Sequence, residues 1–361
     1  MELLIYIYIV LNIISTYNIE GRLIILLVSQ IFMLLFFIGF IRKILKKHRI
    51  NLYILLIIVS FMLSSIFNLK EMPKYIINIF TLCSCYYIVE YIYTKNKNIT
   101  DIILRILTIV TIFNFLLIVF LPGVEQNPKE VFGIVISRNN VKYLGLAIAS
   151  INAGLVLTCI KNYKNKYTRF LIFLISLIVI LNSGKLSVIL TLILVKILKE
   201  LFLKLPKILS IKIFQIMITI FFLGNYIYLK IENYLKEYIN TEKILTGRVI
   251  LWKDYTEYII NKGNLFLGNG FFESGKKISY LTHPHNNYLS IIYTLGIFGG
   301  VIFLLFFLKI VKKMFENLNN QNDYKLTCLL FIFFIMNTDD YFLITVYPIY
   351  NLVFIDTLLK E

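Results

Sequence analysis

Long apolar runs separated by short polar connections repeat from one end of this chain to the other. Runs at 2–17, 22–41, 51–69, 74–94, 100–121, 140–160, 169–183, 185–200, 208–229, 286–309, 326–342 and 345–359 approach the ~20 apolar residues a helix needs to cross a ~30 Å hydrocarbon core. The pattern predicts an all-α, polytopic integral membrane protein with about twelve transmembrane helices. It forms one membrane domain over 1–361, with no separate soluble domain. The two runs that meet near Ser183 are short and predict a helical hairpin that crosses only part of the bilayer. The N-terminal MELLIYIYIVLNIIS lacks a basic flank and a small-residue cleavage site, so a retained first span is expected rather than a signal peptide.

One long stretch breaks the pattern, at 230–285. Within it, LTGRVILWKDYTEYII places Arg248, Trp252, Tyr255 and Ile259 on one face of an amphipathic helix, with Thr246 as its N-cap. A turn-rich segment follows, with glycines at 263, 268, 270 and 275.

Composition agrees with the pattern: 59% of residues are hydrophobic and only 16% are charged, far outside the range of water-soluble domains. The formal net charge of +17 does not point to nucleic acid, because the charges cluster in short connections, where they set topology and touch anionic lipid. The clusters are Arg42, Lys43, Lys46, Lys47 and Arg49; Lys161, Lys164, Lys166 and Arg169; and Lys312, Lys313 and Lys325. About twelve spans put all three on one side, with Lys95, Lys97, Lys199, Lys204 and Lys207. That side is expected to be cytoplasmic, with both termini on it. The segments 122–139 and 230–285 then face the exterior of a bacterial cytoplasmic membrane, where no ATP or nucleotide-sugar is supplied. Chemistry there requires a substrate that arrives already activated. The cysteines at 83, 85, 159 and 328 lie in or beside apolar runs and form neither a disulfide framework nor a metal pattern.

Two of the three histidines, His283 and His285, close the exterior segment directly before an apolar run. Neutral imidazole, with an ordinary pKa of about 6.5, accepts a proton at external pH without special tuning; the alternative role for His285 is an interfacial hydrogen-bonding anchor. A zinc site would need a third ligand, and Glu273 has no metal-binding spacing to the histidines, so no metal is expected. Asn286 follows, and after nine more residues Gly296-Ile-Phe-Gly299, whose small residues suit close helix packing. Arg138, Lys185 and Arg248 are the exterior basic candidates for phosphate oxygens, against the alternative of anchoring helix ends at the headgroups; Arg248 can also stack on Trp252. Asn139 and Asn140, at the start of the sixth span, suit sugar hydroxyls or a cap, and Asp339 and Asp340 suit orienting a basic group or simple solvation. Phosphate-loop, dinucleotide and nucleophile-elbow motifs are absent.

His285-Asn286, nine residues, then Gly296-x-x-Gly299, after a long exterior segment with Gly247-Arg248, Trp252 and Gly268-Asn269-Gly270, resembles the O-antigen ligase and polymerase superfamily of bacterial envelope glycosyltransferases. GIVISRNNVKYLGLAIA over 133–149 and LNSGKLSVIL around Lys185 are similar to further segments of that family, with Lys185 where arginine is usual. The resemblance implies a metal-independent, cofactor-free, inverting transfer of a glycan from an undecaprenyl-diphosphate carrier to a sugar hydroxyl. It implies His285 as the catalytic residue, with Arg248, Lys185, Arg138, Asn286, His283 and Trp252 binding diphosphate or glycan. The expected activity is polymerisation of lipid-linked repeat units for O-antigen, capsule or exopolysaccharide; the alternatives are ligation onto lipid A-core or another envelope acceptor and, from another class, a flippase. Expected partners are the lipid-linked oligosaccharide, the bilayer and other envelope polysaccharide assembly proteins.

Overall fold

The computed structural model describes residues 1–15, 22–46, 50–120, 124–131, 134–140, 146–163, 165–183, 185–236, 248–261, 263–271, 278, 284–318, 323–338 and 348–359. In chain order the helices are α1 (Glu2–Ile14), α2 (Arg22–Leu45), α3 (Leu52–Phe67), α4 (Met72–Thr94) and α5 (Ile99–Phe120). A hairpin of strands β1 (Val124–Val131) and β2 (Ile134–Asn140) follows. Then come α6 (Leu146–Thr158), α7 (Lys166–Ser183), α8 (Leu186–Lys204), α9 (Lys207–Lys236), α10 (Arg248–Asn261), α11 (Asn287–Glu316), α12 (Asp323–Ile335) and α13 (Ile349–Leu359). Asparagine begins several of these helices: Asn51, Asn98, Asn165 and Asn286 each accept a backbone N–H from the first turn, the shortest device for an orphan helix donor.

Among the described residues, six helices are long and apolar enough to cross a membrane: Leu23–Leu45, Leu69–Thr94, Ile99–Phe120, Lys166–Ser183, Lys207–Ile227 and Asn287–Glu316. Glu2–Ile14, Leu52–Phe67, Ile148–Thr158 and Ile349–Leu359 are apolar but shorter. The chain is thus a helical membrane protein. Of the pair around Ser183, α7 has the 18 residues and the hydropathy of a full span, and α8 is not among the six. A departure from expectation is the antiparallel hairpin after α5, which lies along α7. Its β-branched Val131, Ile134, Val135 and Ile136 favour strand, and Pro128 falls in the register shift between Gln126 and Lys129, where no ladder donor is needed. Asn139 and Asn140 therefore end β2 and do not begin α6, which starts at Leu146.

Apolar contact alone gives helices in lipid little reason to associate, because the acyl chains are equally apolar; close packing and internal polar bonds must hold them together. Helix α2 makes the contrast visible: its Leu23, Ile24, Leu27, Ile31 and Leu35 are exposed, and its contacts are with α1 and α4. At the centre, Phe307 of α11 packs against Phe333 of α12 and Phe354 of α13, with ring centroids 5.2 and 5.1 Å away. Glycine permits two closer approaches, where Gly39 receives the Tyr87 ring and Gly154 the Phe331 ring.

Polar bonds gather at one end of the bundle. Lys97 meets Glu2 at 2.6 Å and Lys43 meets Glu90 at 2.6 Å. Lys199 pairs with Asp323, Tyr324 donates to Asp101, and Lys207 donates to the Glu316 carbonyl at 2.9 Å. Deepest lies Asp356 of α13, which accepts from Thr100 at 2.5 Å and faces Lys325 of α12 at 3.6 Å, both ionic side chains being at most 5% exposed. Tyr93 donates to the Asp356 carbonyl. The connections that carry the basic clusters thus share one end with the start of α1 and with α13.

Removing one partner of a buried pair strands the other charge, at a cost of about 3–5 kcal/mol. We predict that Asp356→Ala lowers unfolding stability of the purified protein in detergent by about that amount. Lys325→Met combined with Asp356→Leu should lose less than either single change, and additive losses would show that the two charges do not interact.

Candidate functional site

The opposite end of the bundle brings together α10, the segment 263–271 and the start of α11. Helix α10 buries Leu251, Tyr255 and Ile259 against Leu289 and Tyr293 of α11, and the Tyr255 and Tyr293 rings meet edge to face at 5.5 Å. The helix is where the sequence predicts it, but its buried stripe is centred on Leu251. Arg248 and Trp252 flank that stripe, half-buried, and Trp252 packs against it.

The indole of Trp252 donates through Nε1 to the carbonyl of Pro284 at 2.8 Å. Its hydrogen bond is therefore made to the chain itself. His285 comes next, half-buried with φ +49°. Few residues other than glycine adopt this left-handed conformation, histidine somewhat more readily than most, and it persists where neighbouring contacts fix the chain. Here they do. Asn286, 2% exposed, caps α11 by accepting from Leu289 N at 3.1 Å. Asn287 N donates to the Met336 carbonyl beyond α12 at 2.8 Å, and the Tyr288 hydroxyl donates to the Phe333 carbonyl. Four hydrogen bonds, one from α10, one within α11 and two to α12 and its end, therefore hold the chain around His285.

Two turns further on, α11 is interrupted. Gly296 has φ +68° and ψ −172°, a region open essentially to glycine alone. An interruption releases carbonyls above it and N–H groups below it, and each must find a partner. The segment 264–269 supplies most of them. Leu265 O accepts from Ile297 N at 2.9 Å and Phe266 O from Phe298 N at 3.2 Å, while Asn269 N donates to Tyr293 O at 2.7 Å. The Tyr75 hydroxyl takes the Thr294 carbonyl at 3.0 Å. Backbone lies against backbone here: a Cβ on Gly268, itself at φ +83°, would strike the Thr294 carbonyl and come within 2.6 Å of Gly296 N. A Cβ on Gly296 would strike the Phe266 carbonyl. The Gly296–Gly299 pair therefore does not serve close packing between helices, as its spacing suggests. Gly296 breaks the helix, and Gly299 leaves room for the redirected Leu295 side chain.

Asn269 and Asn68 complete the joint. The Asn269 side chain accepts from Asn264 N at 2.7 Å, and Asn68, between α3 and α4, donates to the Gly268 carbonyl at 3.3 Å. Sequence reasoning missed Asn68 and Tyr75 because they lie about 200 residues from their partners (200 and 219). Their only sequence signal is polarity at the ends of apolar runs.

Lys185 stands directly before α8, half-buried, its backbone N–H donating to Ser183 Oγ at 3.3 Å. Arg138 is paired opposite Gln126 in the hairpin. These two belong to the β2, α7 and α8 group, whereas His285, Asn286, Arg248 and Trp252 belong to α10 and α11. Thr246, Gly247, Glu273, His283, Asp339 and Asp340 lie outside the described residues. Among the described residues no group of three or more His, Cys, Asp or Glu is placed to hold a metal. No protein-family model and no curated protein matches this chain.

Substituting either glycine of the joint should cost about 1–3 kcal/mol of stability. Gly268→Ala and Gly296→Ala are each expected to lower the melting temperature in detergent. Gly224→Ala, where an added methyl meets nothing within 4 Å, should leave it unchanged or raise it. Equal melting temperatures for all three would show that the joint does not form.

Proposed function

We propose that this chain is a glycosyltransferase of the O-antigen ligase and polymerase superfamily, which polymerises undecaprenyl-diphosphate-linked repeat units at the exterior face of a bacterial cytoplasmic membrane. The observation that carries the reading is the placement of His285: a titratable group held in a left-handed conformation between Pro284, bound by Trp252, and the Asn286 cap of α11. A fixed imidazole beside the polar segments of a membrane protein suits proton abstraction from an acceptor hydroxyl.

In the proposed reaction, His285 takes the proton of an acceptor sugar hydroxyl as its oxygen attacks the anomeric carbon of the donor. The bond from that carbon to the diphosphate breaks with inversion, and undecaprenyl diphosphate leaves. Arg248, one turn before Trp252 on α10, is assigned to the charge that develops on the diphosphate. Lys185 and Arg138 are assigned the same role from the β2–α7–α8 group, and His283 is assigned a glycan contact, while the Asn286 expected beside it is buried as the α11 cap and is assigned to holding His285. No metal or cofactor enters. A ligase, which delivers a finished glycan to lipid A-core or another envelope acceptor, would use the same groups.

The proposed topology has twelve crossings. The five shorter helices α1, α3, α6, α12 and α13 are 11–16 residues long and would cross together with the longer ones and α8. The end that gathers Lys43, Lys97, Lys199 and Lys207 would be cytoplasmic by its basic excess, which leaves His285 outside.

Topology is tested by labelling. The four native cysteines are buried, so a cysteine introduced at Asn264 should react with an impermeant maleimide in intact cells and one at Lys46 should not; the reverse pattern overturns the orientation. Function is tested by gel separation of envelope glycans from a strain lacking the gene, complemented with wild type or His285→Ala. Surface glycan confined to a single repeat unit in the deletion and in His285→Ala, at equal protein level, is expected. Long chains stranded on the undecaprenyl carrier would identify a ligase instead, and a normal ladder with His285→Ala would overturn the assignment of His285.

A further inference from the structure

Two features of Trp252 are not used by the proposed reaction. Its indole N–H is directed at the Pro284 carbonyl, 2.8 Å away, rather than at open space where a ligand would sit. It is also the only tryptophan in the chain. Its helix cannot drift from the head of α11, because Leu251, Tyr255 and Ile259 around it are buried against Leu289 and Tyr293. The carbonyl it binds belongs to the residue before His285, whose backbone is left-handed. On the far side, the Asn286 cap and the Asn287 N–H bond to Met336 fix the chain that leaves that histidine.

We infer that Trp252 is a positioning residue: by binding the Pro284 carbonyl it fixes the peptide that enters His285 and so sets the direction of the imidazole. The inference rests on the reading of His285 as the general base. Its physical basis is that side-chain direction follows backbone dihedrals. A left-handed residue held on one side alone can relax to the more populated right-handed or extended regions, which would swing the imidazole away. The bond from α10 holds the other side. Position, not affinity, is then what Trp252 contributes, and a small angular error at a general base lowers turnover more than binding.

The test replaces the indole N–H and little else. Trp252→benzothienylalanine keeps the bicyclic ring and puts sulfur where the N–H was; Trp252→Phe serves as the second variant should the analogue fail to accumulate in membranes. In the full-length protein, with a lipid-diphosphate-linked oligosaccharide as both donor and acceptor, kcat is expected to fall about tenfold or more, with KM and melting temperature unchanged. Wild-type kcat would overturn the positioning role. A raised KM at unchanged kcat would overturn it too, and would make Trp252 a ligand contact.

His285→Ala measured in the same assay separates the two ideas. Loss of transfer there, together with wild-type kcat in the analogue, removes the positioning role alone. Retained transfer removes the reading of His285 and the inference with it. One readout needs no activity: the lone indole N–H gives a single resonance, expected to exchange slowly with deuterium. Exchange at the rate of an exposed indole would mean that the bond to Pro284 is not kept, and would overturn the inference.

Discussion

A helix inside a membrane cannot leave backbone groups without partners, and the interruption of α11 at Gly296 is where this chain meets that constraint most severely. The released groups bond to a segment that precedes the helix by some twenty residues and lies across the break. Gly268 and Gly296 fit because neither carries a side chain, and Asn269, Asn68 and Tyr75 take what the backbone leaves over. The first half of α11 is thereby tied to α3, α4 and α10 and not only to its own continuation. His285 stands at the head of that half-helix, so the break and the candidate site form one mechanical unit.

The two ends of the bundle differ in kind. One is held by charges: Lys–Glu and Lys–Asp pairs among helix ends, some exposed and individually weak, others as deeply buried as Lys325 and Asp356. The other adds backbone, amide and hydroxyl bonds around the glycine joint to the local Lys74–Glu71 pair. Ion pairs tolerate small relative shifts of their helices, whereas backbone bonds across a glycine contact do not.

Much of this was legible in the sequence, and the limits have physical causes. Apolar runs located the helices to within a few residues, because length and hydropathy decide that question in lipid. The α10 helix was legible from its period, although the stripe through Leu251 was displaced towards Arg248 in the sequence reading. The β1–β2 hairpin was not anticipated, since its β-branched residues also suit the approach to a span. Gly296 was visible as a small residue in an apolar run, a pattern that a close helix contact and a break share; only the backbone of the facing segment separates them. The resemblance implied a binding role for Trp252, and only the folded chain shows that its indole N–H is donated to a carbonyl 32 residues away. Asn68 and Tyr75 make contacts that no local pattern encodes.

The pair formed by Asp356 and Lys325 also bears on how the chain enters the membrane. A lone aspartate or lysine at the centre of an inserting helix costs about 2.5–3.5 kcal/mol, which a helix as short as α13 recovers poorly from its apolar residues. With Lys325 on the preceding helix, and Thr100 and Tyr93 already in place on α5 and α4, the charge arrives beside waiting partners. Lys325, Thr100 and Tyr93, on three other helices, thus meet at one residue of α13, so that its packing depends on α4, α5 and α12 together.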